Sequence, residues 1–461
     1  MNSSGGRRLN TRMASDGPLR AFAGSFPGEV VLPGDDGYDA ARFVWNRMVD
    51  RRPAAVVRPT ATDGVIAALR FARHHDLLVA VRGGGHSLPG LSTCDDGVVI
   101  DLSRMHGAEV DAGRRIARVA GGSLLGELDD AAQAAGLVCP VGVVSHTGVA
   151  GLTLGGGMGK LQRRFGLTID KLRAVEVVTA DGEVVRASDD ENPDLFWGVR
   201  GAGANFGIVT VFAFALHPFD GTVTHGVVTH PVERLDDVVA LFREAVESGP
   251  GESMPTLAVA RANGRPVVSI SAFHSGSPEQ AERDLADLRA YGPPLLDTID
   301  VKPYREAQHL ADGEMEWGHR FYMKSAFLRE LPADAVTRCA ELVAQGPPGV
   351  ECVLSVWAWG GAIASVPEDG TAFTGREASY WASAEAQWDD RDLDPACREW
   401  VWDTAAELMP YALTGRYVND VAEAGTDLRS VYGEAKFDRL VALKREWDPD
   451  NVFRLNQNIR P

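Results

Sequence analysis

The sequence predicts an α+β protein made of two large units, and three observations carry that prediction. Hydrophobic residues make up 45% and charged residues 24% of the 461 residues, which is ordinary globular composition with enough apolar surface for large cores. About the first 215 residues contain many short, β-branched runs bounded by glycine or aspartate, which is typical of strands. After His217-Pro218 the glycine clusters thin out, and strand-like runs alternate with amphipathic helices.

The predicted elements follow in chain order, and each rests on its own local pattern. In the first unit, β-branched runs predict the strands LLVAVR, GVVIDL, RIARVAGG, AVEVVTADGEVV and GIVTVFAFAL. Helical spacing of apolar residues predicts helices over TATDGVIAALRFARHH and SLLGELDDAAQAAG. In the second unit the strands are VTHGVVTH, PVVSISAFH and VECVLSVWAW, and the helices are VERLDDVVALFREAVE, PEQAERDLADLRAY and PADAVTRCAELVAQ. The last segment, AKFDRLVALKREWDPDNVFRLNQNI, predicts an amphipathic helix, a turn and a polar tail.

The charge balance narrows the classes of partner. The chain carries 46 Lys and Arg residues against 64 Asp and Glu residues, which gives a net charge of −18. Such a negative body repels nucleic-acid phosphates and anionic lipids, so we expect neither nucleic acid nor a membrane surface as a partner. No apolar run reaches the roughly 18 residues that a membrane span needs.

The five cysteines are scattered, and no CxxC pair occurs. This pattern favours a reduced, cytoplasmic protein and indicates neither a zinc knuckle nor a dithiol site. The 11 histidines are scattered as well, so we expect no metal site. The segment MNSSGGRRLNTRMASDGPLR is polar and lacks the apolar stretch of a secretory signal, so residues 1–26 are expected to form a disordered tail.

The sharpest motif is RGGGHS, Arg82–Ser87, which directly follows the predicted strand LLVAV. Three glycines after a strand let the backbone turn tightly and aim successive N–H groups at an anion, for which a diphosphate is the obvious candidate. A histidine immediately after such a loop makes the pattern more specific. A tight turn with a surface histidine would contain the same residues, and the motif alone leaves that alternative open.

Three further segments are rich in glycine or polar residues. GLTLGGGMG, residues 151–159, predicts backbone packed against a flat ligand or another strand, and VSHTG, residues 144–148, suits a pocket wall or a capped turn. In DLFWGVRGAGANFG, residues 194–207, the glycines follow a helix and lead into a strand. Because a nicotinamide Rossmann site needs the reverse order, we reject such a site. P-loop, HExxH and GxSxG motifs are absent from the sequence.

Taken together, four motifs in order resemble the FAD-linked oxidases of the vanillyl-alcohol oxidase superfamily, in its berberine-bridge-enzyme-like branch. They are RGGGHS, GVAGLTLGGGMG, DLFWGVRGAGANFGIVT and the C-terminal DPDNVFRLNQNI, and the resemblance extends from about Pro27 to Pro461. It implies a two-subdomain, PCMH-type FAD-binding module over residues 27–218 and a substrate domain over residues 219–413, with an antiparallel sheet covered by helices. Residues 414–461 are implied to return to the FAD module.

The resemblance also implies that His86 is bonded covalently to the 8α-methyl group of FAD. A covalent imidazole withdraws electrons from the flavin and prevents its loss, while the protein orients and tunes the cofactor. Many relatives carry a second bond from a cysteine, but Val144 stands at that position, so we expect one bond and give no such role to Cys139. The other cofactor-binding residues implied by the motifs are Arg82, Gly83, Gly84, Gly85, Ser87, Gly148, Gly151, Gly155, Gly156, Gly157, Gly207, Ile208, Val209, Asn456 and Asn458.

A catalytic base is implied on the substrate side of the flavin. Tyr417, in GRYVND, matches the position where relatives present a phenol, although Asp420 stands where the family usually has an aromatic residue. A free phenol has a pKa of about 10, so as a base it needs a hydrogen-bonded network or a nearby positive charge. Lys324 and Arg416 are the candidate charges.

Four other side chains complete the predicted catalytic set. Glu385 and Tyr380 lie in the segment REASYWASAEAQW, which is similar to a sheet segment that often supplies pocket groups in the family. His146 and Thr147 are implied to line the flavin near the edge that reacts with oxygen. A structural tyrosine or a surface glutamate would equally account for Tyr380 and Glu385.

The resemblance implies an oxidase that removes hydride from a C–H next to a hydroxyl or similar group and passes the electrons to O₂, giving H₂O₂. We expect a small organic substrate, of the kind made in secondary metabolism. Two alternatives remain at this stage. One is an oxygenating flavoenzyme that inserts oxygen into a polyketide-like substrate, and the other is a non-catalytic binding module on the same fold.

Overall fold

The computed structural model describes residues 16–423 and 425–461. The first sheet of the N-terminal module, residues 16–218, has three parallel strands and one antiparallel edge strand. Its strands are β1 (Gly28–Val31), β2 (Ala55–Pro59), β3 (Val79–Arg82) and β4 (Val98–Asp101), in the order β1-β2-β4-β3. The helices of this subdomain are α1 (Asp16–Ser25), α2 (Tyr38–Arg42) and α3 (Thr62–His74). The valine runs of β2 and β4 are fully buried, as parallel strands covered on both faces require.

Helix α1 lies within the segment predicted to be a disordered tail, and for residues 16–25 that prediction is wrong. Leu19 is buried, and Phe22 stacks on Phe71 of α3 with ring centroids 4.2 Å apart. These apolar residues recur at helical spacing, and the aromatic contact stabilises the helix against the module. Residues 1–15 lie outside the described residues.

The second subdomain of the module is built on an antiparallel sheet. Its strands are β5 (Ala108–Asp111), β6 (Ile116–Ala120), β8 (Leu172–Val178), β9 (Val184–Ser188) and β10 (Ile208–Ala215), in the order β5-β6-β10-β8-β9. A separate pair joins β7 (Leu137–Val138) to β11 (His217–Pro218). The helices are α4 (Leu125–Ala134), α5 (Val149–Gly155), α6 (Gln162–Phe165) and α7 (Pro193–Val199). The predicted boundary at 218/219 falls directly after β11.

The sheet domain, residues 219–413, contains an eight-stranded antiparallel sheet. Its strands are β12 (Thr222–Pro231), β13 (Thr256–Ala262), β14 (Arg265–His274), β15 (Leu296–Asp297), β16 (Asp300–Pro303), β17 (Arg320–Leu328), β18 (Glu351–Ala358) and β19 (Tyr380–Trp388). The strand order is β15-β12-β14-β13-β18-β19-β17, with β16 also paired to β12. The helices are α8 (Leu235–Glu247), α9 (Pro278–Asp284), α10 (Ala286–Ala290), α11 (Tyr304–His309), α12 (Ala333–Ala344) and α13 (Asp394–Leu408).

The two faces of this sheet have different neighbours. On β19, Tyr380, Ala382, Ala384 and every second residue after them pack in the core beneath α8, α12 and α13. The intervening positions, such as Trp381 and Glu385, line an internal cavity. Because successive side chains of a strand point to opposite faces, the parity of a residue number decides which environment it enters.

The C-terminal segment, residues 414–461 apart from Ala424, packs against the N-terminal module. It contains α14 (Leu428–Tyr432) and α15 (Glu434–Trp447). The ammonium group of Lys444 is fully buried and donates to the carbonyl oxygens of Asn205 and Phe453 at 2.7 and 2.8 Å and to Asp448 Oδ2 at 2.7 Å. These bonds satisfy all three donors of the buried ammonium and fix the following residues on the module. No helix of the described chain is both long and apolar enough to cross a bilayer.

Candidate active site

A cavity of about 940 Å³ lies between the two subdomains of the module, the sheet domain and the C-terminal segment. The module contributes the loop after β3 and the start of α5. The sheet domain contributes alternate residues of β13, β17, β18 and β19, and the C-terminal segment contributes the neighbourhoods of Tyr417 and Asn456. The cavity therefore brings together all three parts of the predicted site.

Two glycine loops of the module touch through their backbones. A Cβ atom at Gly84 would lie closer than 3.0 Å to the backbone nitrogen of Gly148, and a Cβ atom at Gly148 would come equally close to Gly84. Gly85 has a φ of +74°, a conformation that side-chain-bearing residues rarely adopt. The RGGGHS and VSHTG motifs are therefore two sides of one contact that only glycine permits.

The backbone N–H groups of residues 83–87 donate no hydrogen bond to any described residue. Gly85 is buried, the other four residues are half-buried, and all five line the cavity. Backbone N–H groups without a partner in such a position are available to a ligand. Successive N–H groups in a turn form a concave site for an anion. Ser87 reinforces the loop, since its Oγ accepts a hydrogen bond from the Leu91 N–H at 3.0 Å.

His86 lies on the cavity wall within a group of aromatic rings. Its ring stacks on Trp45, with centroids 5.2 Å apart and an interplanar angle of 17°, and it meets the edge of Trp317 at 5.6 Å. His86 Nε2 lies 2.9 Å from Nδ1 of His146, and Nδ1 of His86 lies 3.4 Å from Oγ1 of Thr147. The structure therefore brings His86, His146 and Thr147 together. Thr147 lines the cavity, whereas His146 contacts His86 from behind and is not among the lining residues.

The pKa of His86 is lowered to about 3, first because the imidazole is desolvated and second because of the nearby His146. The ring is therefore neutral at neutral pH, with a lone pair on one nitrogen. A neutral imidazole is the form that can act as a nucleophile.

Other residues of the predicted cofactor set lie away from the cavity. Arg82 is buried and donates to the carbonyl oxygen of Ala41 at 2.6 Å, so its guanidinium turns toward α2. Ile208 and Val209 lie in cores of the module, and Gly207 packs against Val177. These residues support the module rather than contact the cavity, in contrast to the prediction from the motifs.

In the second glycine motif, residues 151–159, some glycines line the cavity and others pack elsewhere. Gly151 lines the cavity, whereas residues 155–157 pack against the segment that carries Tyr417. A Cβ atom at Gly155 would collide with the side chain of Asn419, and one at Gly156 would collide with Phe373. The Gly157 N–H donates to the Tyr417 hydroxyl at 3.0 Å. The triple glycine therefore positions Tyr417.

Tyr417 is buried on the cavity wall with its hydroxyl oxygen accepting two hydrogen bonds. Besides Gly157, Asn419 Nδ2 donates to it at 3.0 Å. Burial and the charge of Asp420 raise the pKa of the Tyr417 phenol. Lys324 does not supply the expected positive charge, because it lies on the helix-covered face and pairs with Glu423 at 3.3 Å.

Glu385 and Tyr380, predicted together, lie on opposite faces of β19. Glu385 lines the cavity and accepts a hydrogen bond from Ser383 Oγ, and burial followed by the charge of Glu314 raises the pKa of its carboxyl group. Tyr380 packs against Phe242 of α8. Tyr380 is therefore not a pocket residue, because five positions separate it from Glu385 and an odd separation reverses the face.

Two residues that the sequence did not single out as functional also line the cavity. Asp420 lies three residues after Tyr417, and Gln457 lies between the two predicted asparagines. Asn456 lines the cavity, whereas Asn458 does not. The amide oxygens of Asn456 and Gln457 are buried and accept no hydrogen bond from the described residues. Departure from the family pattern marked Asp420 in the sequence, but no local signal marked Gln457.

Comparisons with known proteins decide the family. Residues 53–188 match a family model described as an FAD binding domain, and residues 423–460 match one described as berberine and berberine like. An FAD-linked oxidoreductase from Dictyostelium discoideum is 32% identical over 451 residues, which cover 96% of this chain and 97% of that protein. The chain belongs to the berberine-bridge-enzyme-like family of FAD-linked oxidoreductases. Among the other relatives of this FAD-linked oxidoreductase, an (R)-6-hydroxynicotine oxidase from Paenarthrobacter nicotinovorans is 32% identical over 95% of the chain and 97% of its own length.

Solved structures of the family share the fold. A crystal structure of 6-hydroxy-D-nicotine oxidase from Arthrobacter nicotinovorans has a TM-score of 0.88 at 30% identity, covering 98% of this chain and 100% of that one. The BBE-like 1 protein of Physcomitrella patens has a TM-score of 0.87 at 24% identity, covering 96% and 99% of the two chains, and shows the fold alone. The predicted family, α+β fold class and enzyme class are confirmed, and the non-catalytic alternative is set aside.

FAD fits this BBE-like cavity on two observations. The free N–H groups of residues 83–87 suit a diphosphate, because an anion would satisfy several of these donors at once. The free amide oxygens of Asn456 and Gln457 suit the polar edge of an isoalloxazine ring, which would satisfy buried acceptors. The loop of residues 83–87 and the pair Asn456 and Gln457 line the same cavity, although they are far apart in the sequence.

Proposed function

We propose that the enzyme is an oxidase that carries FAD in covalent linkage through His86 and oxidises a small organic molecule with O₂. One observation carries the proposal. A neutral imidazole lies on the cavity wall within a run of backbone N–H groups that have no partner in the described chain. That combination supports both diphosphate binding and attachment of the flavin by the adjacent nucleophile.

When bound, FAD supplies the two-electron oxidant, which takes a hydride from the substrate and passes the electrons to O₂ to give H₂O₂. The chain's own residues bind and orient. The loop of residues 83–87 holds the diphosphate, Asn456 and Gln457 hold the polar ring edge, and His146 and Thr147 fix the His86 ring. Glu385 of β19 and Tyr417 of the C-terminal segment also line the cavity, where a proton can be transferred.

The substrate side of the cavity suits a small organic molecule that carries a hydroxyl or amino group. Phe321, Met323 and Trp381 provide apolar contact, and Glu314 and Glu385 provide hydrogen-bond acceptors. A relative named for the oxidation of 6-hydroxynicotine supports a substrate of this size. We place the substrate among secondary metabolites, with a C–H next to the O–H or N–H as the position oxidised.

Acid precipitation and intact-mass measurement test the covalent link. We expect the purified protein to be yellow, its mass to include one flavin, and flavin fluorescence to stay with the precipitate. His86→Ala should release its flavin into the supernatant, while His74→Ala, which alters an exposed histidine of α3, should behave as the wild type. Complete release of flavin from the wild type would contradict the proposal.

The oxidase reaction is tested with a panel of alcohols and amines. We expect H₂O₂ in an amount equal to product. Under ¹⁸O₂ the label should appear in peroxide, whereas label in the organic product would identify the oxygenating alternative instead.

A further inference from the structure

We propose that Asp420 accepts the substrate proton in this oxidation and that Tyr417 positions the segment that carries it. The inference rests on the proposed function, since it names the base of that same site. Asp420 belongs to a short helical turn, Val418–Asp420, that follows Tyr417 directly.

The two carboxylate oxygens of Asp420 have different surroundings. Oδ2 accepts hydrogen bonds from Ser325 Oγ at 3.0 Å and from Trp381 Nε1 at 2.9 Å. Oδ1 accepts no hydrogen bond from any described residue, and the residue lines the cavity. One oxygen is therefore fixed by the walls and the other keeps its lone pairs for a ligand. This geometry suits a general base, which must reach the substrate hydroxyl or amine directly.

Tyr417 is less suited to accept the proton. Its oxygen already accepts from Gly157 and Asn419, so two of its hydrogen-bonding directions are used within the chain. The pKa of the phenol is raised by burial and by Asp420, which keeps the hydroxyl protonated. Since Lys324 is paired on the other face of the sheet, no cation of β17 offsets this effect.

The groups facing Asp420 are acidic or neutral. Glu385 faces it from β19, Tyr417 from its own segment and Ser325 from β17, while Glu314 of the loop before β17 acts on Glu385. Desolvation first, and the Glu385 charge in addition, raise the pKa of Asp420 to about 8. A base is most effective when its pKa lies near the working pH, because it is then both available and strong.

The step balances as follows. The substrate O–H or N–H bond breaks, its electron pair stays on the heteroatom, and the proton moves to Oδ1 of Asp420. The neighbouring C–H hydrogen leaves with its two electrons to the bound oxidant named above. O₂ then takes two electrons and two protons as H₂O₂, and Asp420 returns to the carboxylate by releasing its proton.

The first test reads the carboxyl group itself, without turnover. Infrared difference spectra of the holoenzyme between low and high pH should show a protonated-carboxyl band that disappears with a midpoint near pH 8. Asp420→Asn should lack this band. Glu385→Gln should keep it with a lower midpoint, because the like charge that raises the pKa is gone. An unchanged band and midpoint in Asp420→Asn would overturn the inference.

The second test measures flavin reduction by the panel compound that the wild type oxidises fastest. Asp420→Asn is isosteric and can still accept from Ser325 and Trp381, so we expect it to fold and to slow reduction by roughly 10²–10⁴-fold. Its covalent flavin and reoxidation by O₂ should be retained. Tyr417→Phe should slow reduction by about tenfold or less, and Asp420→Glu, which keeps a carboxylate, should recover part of the lost rate.

If Asp420→Asn reduces the flavin at the wild-type rate, or if Tyr417→Phe loses as much rate as Asp420→Asn, then another group accepts the substrate proton. The flavin mass of the same samples separates this failure from failure of the proposed function. A wild type without covalent flavin contradicts the role of His86, whatever Asp420 does.

Discussion

The two walls of the cavity are built by different means. The module wall presents backbone, because Gly84 and Gly148 touch where no Cβ atom fits and residues 83–87 leave their N–H groups free. The sheet wall presents side chains from alternate positions of β17, β18 and β19. A side chain on the sheet can change without moving the strand that carries it. Under the proposed function, the difference implies that cofactor binding depends on a few glycines that cannot vary, whereas substrate choice depends on side chains that can.

Replacing one glycine should have the largest effect on the module wall. Gly84→Ala places a Cβ atom against the Gly148 backbone, so we expect no FAD to be incorporated. Gly83→Ala in the same loop is the matched control, since its Cβ atom would make only ordinary contacts, at 3.5 Å to the Gly121 carbonyl oxygen and 3.6 Å to Ala150. Flavin absorbance per protein measures the outcome, and equal loading of both variants would show that the close approach is not required.

Asp420 of the C-terminal segment faces the sheet wall, and the next effect is on the pH dependence of stability. The pKa of Asp420 is raised to about 8 in the folded protein and is about 3.9 in an unfolded chain. Between these values only the unfolded state has released the proton, so wild-type stability falls as pH rises through this window and levels off above it. The unfolding free energy of Asp420→Asn, measured relative to the wild type, should therefore increase from about pH 5 to about pH 9. Urea unfolding at both pH values checks this, and a constant difference would contradict it.

Tyr417 lies at the junction between the two walls, and its replacement should have a smaller effect, on the free energy of unfolding. Tyr417→Phe leaves the Gly157 N–H without its acceptor, which should cost about 1–3 kcal/mol of unfolding free energy. Tyr432→Phe is the matched control, because the Tyr432 hydroxyl is buried without a partner among the described residues. We expect that variant to be as stable as the wild type or slightly more so. Urea midpoints compare the two, and equal losses would show that the Gly157 bond contributes nothing.

The smallest effect is expected at Cys139. This thiol is fully buried in the module core, burial raises its pKa, and it does not line the cavity, whereas Val144 does. Cys139→Ala should therefore leave the flavin spectrum and the single flavin mass unchanged. Peptide mapping that finds flavin on a cysteine peptide would contradict a single bond through His86.

The contrast between the walls also explains what the sequence could predict. Glycine contacts and the histidine after them are local, so RGGGHS and VSHTG indicated the loops and the group around His86 directly. Glycines 155–157 were assigned to the cofactor because glycine spacing shows close packing but not the partner, which is Tyr417 and its neighbours. The stacking of Phe22 on Phe71 joins two helices far apart in the sequence, so no local pattern shows it.

Tyr380 and Asp420 show the limit for the sheet wall. Tyr380 and Glu385 are an odd number of positions apart on β19, so on a strand only one of them can face the cavity. Asp420 is different, because its neighbours Ser325 and Trp381 are 95 and 39 positions away. Only the folded chain shows that one oxygen of this carboxylate is held and the other is free.

The wide separation of the cavity residues has a consequence for biosynthesis. Trp45 and Gln457 lie on the same cavity although about four hundred residues separate them, and domains fold in order of synthesis, N-terminal first. The glycine loops can form early on the ribosome, but the ring-edge acceptors arrive only after α15 has docked through Lys444. If FAD is attached through His86 as proposed, attachment is expected late in maturation, and the fraction of flavinylated chains would then measure how many molecules have completed folding.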